Sequence, residues 1–330
     1  CQLFIHNYII PFFFLIFNGL CGIALSLFDG ISCGRVALDR AGIAVEDYAA
    51  FEIDRFAVQT SAKNYPDIRH FGNVFEGDFT QFKGCDLLLG GSPCTYWSIA
   101  KRNRETTCDG EGFKLFMQYV RALNEAQPKY FLYENNYSIH QNIKDEISRQ
   151  LGVQPIMINS ALVSAQQRKR CYWTNIPGVI QPADKGIMLN DIIDPEAVGW
   201  NKKSYCMTAN YAGATLRNTL ERHQRTMVAV PVRIGDIGSN SQGQRVYSVH
   251  GKSICLSALT GGQGGGTGLY KIELPDGDYV IRKLTPIEAE RLQTLPDNYT
   301  AGVSNAQRYK QVGNGWTVDV IAHILSFIPV

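Results

Sequence analysis

The chain has 330 residues, 45% of them apolar, and its formal net charge at pH 7 is +2. This length allows one large domain or two ordinary domains with a substantial core, and the near-neutral charge identifies no partner by itself. The nine cysteines include no Cys-x-x-Cys pair, so their spacing indicates neither a zinc site nor a redox pair. Scattered cysteines in a chain of this length are typical of a reduced, cytosolic protein.

The N-terminal segment is strongly apolar. Residues 8–28 carry no charge and are long enough to span a bilayer. A proline and an Asn-Gly pair interrupt this run, and no basic segment precedes it as in a secretory signal. Residues 23–28 also read as a core strand, which cannot lie in lipid as well. We therefore expect residues 1–21 to be an extension outside the fold, with a membrane anchor as the alternative.

Strands and helices alternate over residues 22–178. Apolar runs that end in glycine or acidic residues predict strands at 23–30, 48–54, 85–91 and 129–135. Helical periodicity predicts helices at 33–42, 55–65, 112–126 and 143–152. This alternation predicts an α/β fold with a parallel sheet, in which a functional site lies at the carboxyl ends of the strands.

Residues 201–283 have a different composition. They are rich in Gly, Ser, Thr and Asn, with short β-like runs at 245–251 and 278–284. They hold eleven Lys or Arg against five Asp or Glu, so the basic charge of the chain is concentrated here. Such a surplus is expected of a face that binds nucleic acid, and an ordinary solvated surface is the alternative.

The last stretch predicts two further features. Thr285, Pro286 and Glu288 have the spacing of a helix start, with an N-cap threonine, a proline at the first position and a glutamate at the third. Further on, the sequence Gly-Asn-Gly at 313–315 is expected to form a turn that leads into an apolar helix.

Three strand ends carry residues suited to chemistry. The turn "LFDGISCG" at 27–34 joins a strand to a helix, so that a nucleotide-like ligand can approach its backbone closely. Glu52 follows about twenty residues after Gly30, a spacing that suits an acid binding a ribose. The loop "GGSPC" presents Cys94, which is either a nucleophile or an inert turn residue. A purely structural turn is likewise the alternative at residues 27–34.

Two later features could complete a site around Cys94. Glu134 ends a strand and is expected on the same edge of the sheet. Arg168 and Arg170 are two residues apart, and in an extended segment such residues share a face, which would direct both guanidinium groups to one place. A solvated basic cluster is the alternative for this arginine pair.

Taken in order, these motifs resemble the cytosine-C5 DNA methyltransferase family from about residue 23 to 328. The segments "LSLFDGISCG", "GGSPCTYWSI" and "FLYEN" look most like the animal de novo branch. The segments "QGQRVYSVHGKSICLSALTGG" and "RKLTPIEAERLQTLPDNY" look like the small bacterial restriction-system enzymes. The resemblance implies a Rossmann-like, S-adenosylmethionine-dependent methyltransferase sheet with a smaller, β-rich target-recognition domain.

The resemblance also implies roles for individual residues. Cys94 is implied as the nucleophile that adds to cytosine C6, with Glu134 acting at ring N3 and Arg168 and Arg170 assisting. The implied cofactor residues are Phe28, Asp29, Gly30, Gly34, Glu52, Ile53, Asn73, Val74, Ser92, Asn314 and Trp316. The implied DNA-binding residues are Ser98, Gln242 and Arg245. Because this chemistry cannot reach a stacked base, the cytosine is expected to flip out of the duplex.

The resemblance further implies an organisation and a setting. We expect residues 22–185 to form the catalytic and cofactor-binding domain and residues 186–283 the target-recognition domain. Residues 284–330 are expected to return to the catalytic domain. The expected cofactor is S-adenosylmethionine and the expected partner is double-stranded DNA, without a metal or a membrane. We also expect a monomer in the cytoplasm of a bacterial or phage-infected cell. A cognate restriction endonuclease is a further candidate partner.

The sequence departs from the family pattern at a few positions. Asn136 stands where the family has Val after Glu-Asn, and Asn73 stands where Asp is frequent. Gly315 replaces the usual Ser of Gly-Asn-Ser, and Trp316 follows it. An amide oxygen at Asn73 can still accept a hydrogen bond from an amine. We expect Asn136 to be harmless, although an effect on the base pocket is the alternative.

Two other functions are compatible with the motifs. One branch of this fold methylates tRNA, although that branch usually carries Phe-Thr after its Pro-Cys-x loop, where this chain has Tyr96, Trp97 and Ser98. The second is a non-catalytic binding module, which usually loses the nucleophile or the glutamate, whereas both remain here. Tyr96 and Trp97 could face the flipped base or the minor groove, with core packing as an equal alternative.

Overall fold

The computed structural model describes residues 19–98, 103–231, 246–248, 269–274 and 277–329. Seven strands form the main sheet in the order β3-β2-β1-β4-β5-β7-β6. These strands are β1 (Gly19–Leu27), β2 (Ile43–Phe51), β3 (Arg69–Phe71), β4 (Leu87–Gly90), β5 (Tyr130–Asn136), β6 (Ile156–Asn159) and β7 (Lys169–Thr174). Only β7 runs antiparallel to its neighbours among the strands of this sheet, which confirms the predicted α/β fold class.

The first strand begins earlier than expected. β1 pairs in parallel with β2 from its first residue, Gly19 opposite Ile43, to Leu27 opposite Phe51. The boundary expected at residue 21 is therefore wrong for residues 19–21, because a nine-residue partner strand provides backbone groups for nine residues of β1. The rest of the expected extension, residues 1–18, lies outside the described residues.

Eight helices are found in the described residues, and the capping chemistry of several is visible in the sequence. They are α1 (Cys33–Arg40), α2 (Arg55–Asn64), α3 (Glu111–Ala126), α4 (Gln141–Leu151), α5 (Leu216–Leu220), α6 (Pro286–Leu292), α7 (Asn305–Asn314) and α8 (Val318–Leu325). Asp54 caps α2 by accepting a hydrogen bond from the Phe56 N–H at 2.9 Å. At α6, Thr285 and Glu288 exchange the two bonds of a capping box, as predicted.

Helices cover both faces of the sheet, as the strand sequences require. Alternate residues of a strand point to opposite faces, so the fully apolar strands β1 and β4 must be covered twice. On one face, Ala24 and Leu89 belong to a core that α1 and α8 complete. On the other face, Leu25 and Leu88 pack in a second core with aromatic and aliphatic residues of α3 and α4, among them Phe116.

A second, smaller sheet follows in the chain. Its four strands lie in the order β8-β11-β10-β9. They are β8 (Met227–Pro231), β9 (Val246–Ser248), β10 (Leu269–Leu274) and β11 (Gly277–Lys283). A third core cluster includes Met207, Val228 and Ile281 together with Leu292 of α6 and Val312 of α7. The β-rich character expected of this part of the chain is therefore present.

The C-terminal segment corrects one prediction. Gly313 and Asn314 are the last residues of α7 rather than a free turn, and the Gly315 N–H donates to the Gln311 carbonyl at 2.8 Å. The helix extends this far because Gly313 lets it pack directly on another backbone: a Cβ at this position would lie 2.2 Å from the Ala209 nitrogen. The predicted turn is displaced to Gly315 and the residues before α8.

Among the helices of the described residues, none combines the length and the apolar character that a membrane span requires.

Candidate active site

A cavity of about 450 Å³ opens at the carboxyl ends of β1, β2, β4 and β5. β1 and β4 are neighbours in the sheet, and the strand order reverses between them, which is where open α/β sheets bind ligands. The residues predicted from the sequence that line this cavity are Phe28, Asp29, Gly30, Glu52, Ile53, Asn73, Val74, Ser92, Cys94, Glu134, Arg168, Arg170, Asn314 and Trp316. Most of the predicted site is therefore brought together in space.

The turn between β1 and α1 forms one wall of the cavity. Phe28, Gly30 and Ser32 all have positive φ angles near 60°, so the chain reverses tightly and brings the start of α1 close to the end of β1. Asp29 accepts hydrogen bonds from the hydroxyls of Ser32 and Tyr48, the latter at 2.8 Å. Burial raises the pKa of Asp29, and these hydroxyl donors offset part of that increase.

Glu52 holds this turn against the end of β2. Its carboxylate accepts the Gly30 N–H at 2.8 Å, and it also accepts the N–H groups of Ile53 and Asp54 at 2.8 and 2.7 Å. Burial raises the pKa of Glu52, although the three N–H donors act in the opposite direction. Beside it, the Ile53 side chain is 77% exposed and offers an apolar surface at the edge of the cavity.

Asn73 and Val74 form the next part of the wall, after β3. The Asn73 Oδ1 accepts the Phe75 N–H at 3.1 Å, which closes a short turn, and Val74 is buried. The amide of Asn73 therefore supports the loop while it lines the cavity. A hydrogen bond to an amine remains compatible with this arrangement, because an amide oxygen has two lone pairs.

Cys94 lies on the loop after β4, at the start of a single helical turn. Its side chain is partly exposed and lines the cavity. Below this loop, Ser92 is buried and its hydroxyl lies 2.6 Å from the Tyr133 hydroxyl, while the Asn135 amide donates to the Ser92 carbonyl at 3.1 Å. These bonds tie the loop to β5 and fix the position from which Cys94 projects.

Glu134 lies at the end of β5 with both carboxylate oxygens engaged. Its Oε1 is 2.9 Å from the Arg170 Nε, and its Oε2 accepts the indole N–H of Trp316 at 3.0 Å. The side chains of this ion pair are only 11% and 14% exposed, so solvent screens the pair weakly. Burial acts to lower the pKa of Arg170. Electrostatic interactions with Cys206, Glu134 and Cys94 outweigh the effect of burial, so the pKa of Arg170 is raised overall.

Arg168 also reaches the cavity, although its guanidinium group is committed to backbone carbonyls. It donates to Met207 at 2.9 Å, to Gly315 at 2.9 Å and to Gly313 at 3.3 and 3.4 Å. The side chain is 4% exposed. Arg168 therefore joins the segment around Met207 to the end of α7 beside the cavity, and the alternative of a solvated basic cluster does not apply to it.

The two arginines converge on a thiol that the sequence did not single out. Cys206 Sγ lies 3.5 Å from Arg168 Nη1 and 3.9 Å from Arg170 Nη2. Burial raises the pKa of the Cys206 thiol, but the two guanidinium groups outweigh burial and lower the pKa overall. The expectation that Arg168 and Arg170 share a face is thereby confirmed, with Cys206 at their meeting point.

Two described residues of the predicted site, Gly34 and Ser98, do not line the cavity. Gly34 instead allows α1 to pack on the sheet, because a Cβ there would lie 2.7 Å from the Leu89 side chain. Ser98 lies on the loop after Cys94 and does not line the cavity. Gln242 and Arg245 lie outside the described residues.

Asn136 and Trp97 are both explained by local packing. The Asn136 Oδ1 accepts from the N–H and the hydroxyl of Ser138, at 3.1 and 2.8 Å, and so closes the turn after β5. Asn136 is buried and does not line the cavity, which favours the harmless interpretation. Trp97 is fully buried in the core beneath the loop, whereas Tyr96 lines the cavity.

Several residues that shape the site were missed by sequence reasoning. Tyr133 and Asn135 lie next to Glu134 and carry the network beneath the Cys94 loop. Gly91 leaves room for Glu134, since a Cβ there would lie 3.1 Å from its carboxylate and 3.2 Å from the Trp316 Nε1. The glycines of "GGSPC" are the sequence signal that could have indicated this close packing. No local pattern could have indicated the role of Cys206, because its contacts join residues 36 and 38 positions apart.

In the described part of the chain, no group of three or more His, Cys, Asp and Glu side chains is placed to hold a metal ion. The polar groups that the cavity does present include the partly exposed thiol of Cys94 and the buried pair of Glu134 and Arg170.

The fold and the site together define a class of protein. A seven-stranded sheet with one reversed strand carries a cavity of about 450 Å³ at its switch point, and a thiol and a carboxylate line that cavity. This is the arrangement of a Rossmann-like methyltransferase. Solved structures of two methyltransferases share the fold: one from Entamoeba histolytica (EhMeth, TM-score 0.63, 16% identity, 93% of this chain and 97% of that chain) and a DNMT2 mutant from Spodoptera frugiperda (TM-score 0.57, 17% identity, 93% and 99%).

The family model of the C-5 cytosine-specific DNA methylases matches residues 23–329, and the chain belongs to that family. The chain is 28% identical to the Type II methyltransferase M.HhaI of Haemophilus parahaemolyticus over 91% of its length and 92% of that protein. It is 26% identical to the Type II methyltransferase M1.ScrFI of Lactococcus lactis subsp. cremoris, over 90% and 75%. Of the orphan methyltransferase M.Rho11sI of Bacillus phage rho11s it matches 60%, at 28% identity.

The family membership confirms the resemblance seen in the sequence. The chain is a DNA (cytosine-5-)-methyltransferase, and its methyl donor is S-adenosylmethionine.

Proposed function

We propose that this chain methylates C5 of a cytosine that has flipped out of double-stranded DNA, with Cys94 as the nucleophile and Glu134, Arg168 and Arg170 as its partners. One observation carries this proposal. The Cys94 thiol and the Arg170-bound carboxylate of Glu134 line the same cavity, at the carboxyl ends of the adjacent strands β4 and β5.

The residues at the other end of the cavity fit S-adenosylmethionine. When bound, this cofactor supplies an electrophilic methyl group. Glu52 provides a carboxylate beside the turn, suited to the hydroxyls of a ribose, and the exposed Ile53 side chain offers an apolar face for the adenine ring. Asn73 and Asp29 add polar groups to the same wall, and Trp316 and Asn314 close it from the C-terminal segment. We propose that these residues, with Phe28, Gly30, Val74 and Ser92, hold the cofactor.

Cys94 starts the reaction in this proposal. Cytosine C5 is a weak nucleophile, and addition of the thiolate to C6 pushes electron density to C5. The Cys94 side chain projects from a loop that Ser92, Tyr133 and Asn135 fix by hydrogen bonds, so its sulfur is held in position before the base arrives. After methyl transfer, a base removes the C5 proton and Cys94 is eliminated.

Glu134 and Arg170 act on the polar edge of the base. Glu134 donates a proton or a hydrogen bond at ring N3, which stabilises the charge that develops on the ring, and Arg170 binds O2. Because their ion pair already exists at 2.9 Å, the two groups are oriented in advance. Arg168 acts through its charge and by joining the Met207 segment to Gly313 and Gly315 at the end of α7.

We propose that DNA recognition resides in residues 186–283, with Gln242 and Arg245 contacting the bases, and that Ser98 contacts DNA from the Cys94 loop. The basic surplus of residues 201–283 within that segment supports phosphate binding. Residues 22–185 form the catalytic domain in this proposal. Residues 284–330 return to it, supported by an ion pair between Arg40 and Asp319.

The relatives give this activity a setting. Bacterial Type II methyltransferases and a phage enzyme are among them, so we propose a monomer that acts in the cytoplasm of a bacterial or phage-infected cell. A cognate restriction endonuclease is the further partner that this setting suggests.

Transfer of a labelled methyl group to DNA tests the proposal. The purified chain is incubated with S-adenosylmethionine and unmethylated bacterial genomic DNA, and the nucleosides are then separated. We expect 5-methylcytosine from the wild type and a loss of roughly 1,000-fold or more for Cys94→Ser. Nanopore or bisulfite sequencing of the product gives the target. A tRNA pool serves as the comparison substrate, and methylation of tRNA without methylation of DNA, or a fully active Cys94→Ser variant, contradicts the proposal.

A further inference from the structure

The second oxygen of the Glu134 carboxylate is bound by a residue that the cofactor site also uses. Arg170 occupies Oε1, and the Trp316 indole N–H donates to Oε2 at 3.0 Å. A hydrogen bond from a neutral donor to an ionised acceptor is about twice as strong as one between neutral groups. Since the Glu134 side chain is 11% exposed, water contributes little to satisfying this oxygen.

Trp316 is fixed in place on both sides along the chain. The carbonyl of Gly315, which precedes it, accepts from Arg168 at 2.9 Å. Thr317, which follows it, is buried, and its hydroxyl bonds to Gln293 at 2.7 Å and to Ser160 at 2.9 Å. The chain on either side of Trp316 is therefore held in place by bonds that do not involve Glu134.

The surroundings of this hydrogen bond leave space for it. A Cβ at Gly91 would lie 3.1 Å from the Glu134 Oε2 and 3.2 Å from the Trp316 Nε1, so only a glycine leaves the contact undisturbed. The ring of Trp316 also packs against the core that contains α1, and Trp316 lines the cavity that Asp29 lines as well.

We propose that Trp316 is a positioning residue for Glu134: its indole N–H fixes the carboxyl group in the plane set by Arg170, so that the carboxyl edge that acts at ring N3 faces the cytosine. This inference rests on the proposed role of Glu134. A carboxylate held only through Oε1 can rotate about its last torsion, which is soft, and then spends less time in the reactive orientation. In this role Trp316 acts through its indole N–H. The proposed contact of its ring with the cofactor is a second, separate role.

Trp316→Phe separates these two properties because it removes the N–H and retains an aromatic ring. We expect kcat for DNA methylation to fall by about tenfold or more, as for loss of one charge-assisted hydrogen bond. The affinity for S-adenosylhomocysteine, measured by calorimetry, is expected to change less than about threefold. Trp173→Phe is the matched control, because it also removes a buried indole hydrogen bond, to Ser148 at 2.9 Å on α4. It is expected to lower Tm and leave kcat unchanged.

A double-mutant cycle shows whether Trp316 acts through Glu134. In single-turnover assays with excess enzyme, Trp316→Phe is expected to cause a further loss of less than about threefold in a Glu134→Gln background. If the loss in the double variant equals the product of the two single losses, Trp316 acts independently of Glu134 and the inference is overturned. An unchanged kcat for Trp316→Phe in an active wild-type background would overturn it as well. An inactive wild type would instead contradict the proposed function, so the two failures are distinguishable.

Discussion

Burial makes three cysteines of the described chain poor nucleophiles. Burial raises the pKa of Cys33 to about 12, and it raises the pKa values of Cys85 and Cys171 to about 11. Because the thiolate is the nucleophile, these three side chains stay unreactive at neutral pH. By contrast, Cys94 and Cys206 are partly exposed, and both interact electrostatically with Arg170.

The thiol of Cys206 is predicted to titrate at an unusually low pH. Arg168 and Arg170 lower its pKa, so its thiolate forms at a lower pH than an ordinary thiol, whose pKa is about 8.5. Cys108 provides an internal control, because burial and nearby acids raise its pKa. The measurement is the rate of iodoacetamide alkylation against pH, followed peptide by peptide with mass spectrometry.

The expected result is a midpoint for Cys206 that lies below that of Cys108 in the same protein. If the two midpoints coincide, or if that of Cys206 is higher, the convergence of the two guanidinium groups on this sulfur is contradicted. Replacement of Arg168 by Gln should raise the Cys206 midpoint, since it removes the charge that lies closest to the sulfur.

At the scale of elements, the packing of α7 depends on a single glycine. A Cβ at Gly313 would lie 2.2 Å from backbone atoms of Thr208 and Ala209, and backbone cannot move aside as a flexible side chain can. Gly313→Ala is therefore expected to destabilise the protein by about 1–3 kcal/mol and lower its Tm, although alanine is the better helix former. Thermal unfolding measures this effect.

Asn305→Ala is the matched control for this substitution. Asn305 is exposed at the start of the same helix, so alanine there changes helix propensity without meeting another segment. A Tm for Gly313→Ala equal to that of Asn305→Ala would mean that α7 does not pack on residues 208–209 as described.

Much of the sheet could be predicted because its signals are local. The apolar run of β4 and its glycines define a strand end, and Thr285 with Glu288 defines a helix start, so both were predicted close to their observed bounds. The start of β1 at Gly19 was missed because it depends on the length of the partner strand. The helical state of Asn314 was missed because the packing of Gly313 determines it.

In the candidate site, too, local sequence patterns indicate some features, whereas others depend on tertiary packing. Cys94 and Glu134 were predicted to share a sheet edge, because each follows a recognisable strand, and they do line one cavity. The Trp316–Glu134 hydrogen bond joins residues 182 positions apart. The Cys206 contacts likewise depend on a loop whose path no local pattern indicates. Such contacts are set by tertiary packing, which periodicity and spacing do not report.

At the scale of the whole molecule, the C-terminal segment packs against the turn that follows β1. The Tyr299 hydroxyl donates to the Ile31 carbonyl at 2.7 Å, in the turn after β1, and Lys63 of α2 donates to the Tyr299 carbonyl at 2.9 Å. Trp316 extends the same segment to Glu134. The first and last parts of the chain therefore build one site together, which agrees with the family match over residues 23–329.

The central claim is that Cys94 forms a covalent bond to the target cytosine. DNA that contains 5-fluorocytosine in place of cytosine tests it most directly, because fluorine at C5 cannot leave as a proton does and the adduct persists. With S-adenosylmethionine present, we predict a DNA-linked protein that survives denaturation, with the linkage mapped to the peptide that contains Cys94 and absent from Cys94→Ser. A linkage mapped to Cys206, or no linkage from an enzyme that methylates ordinary DNA, would contradict the account.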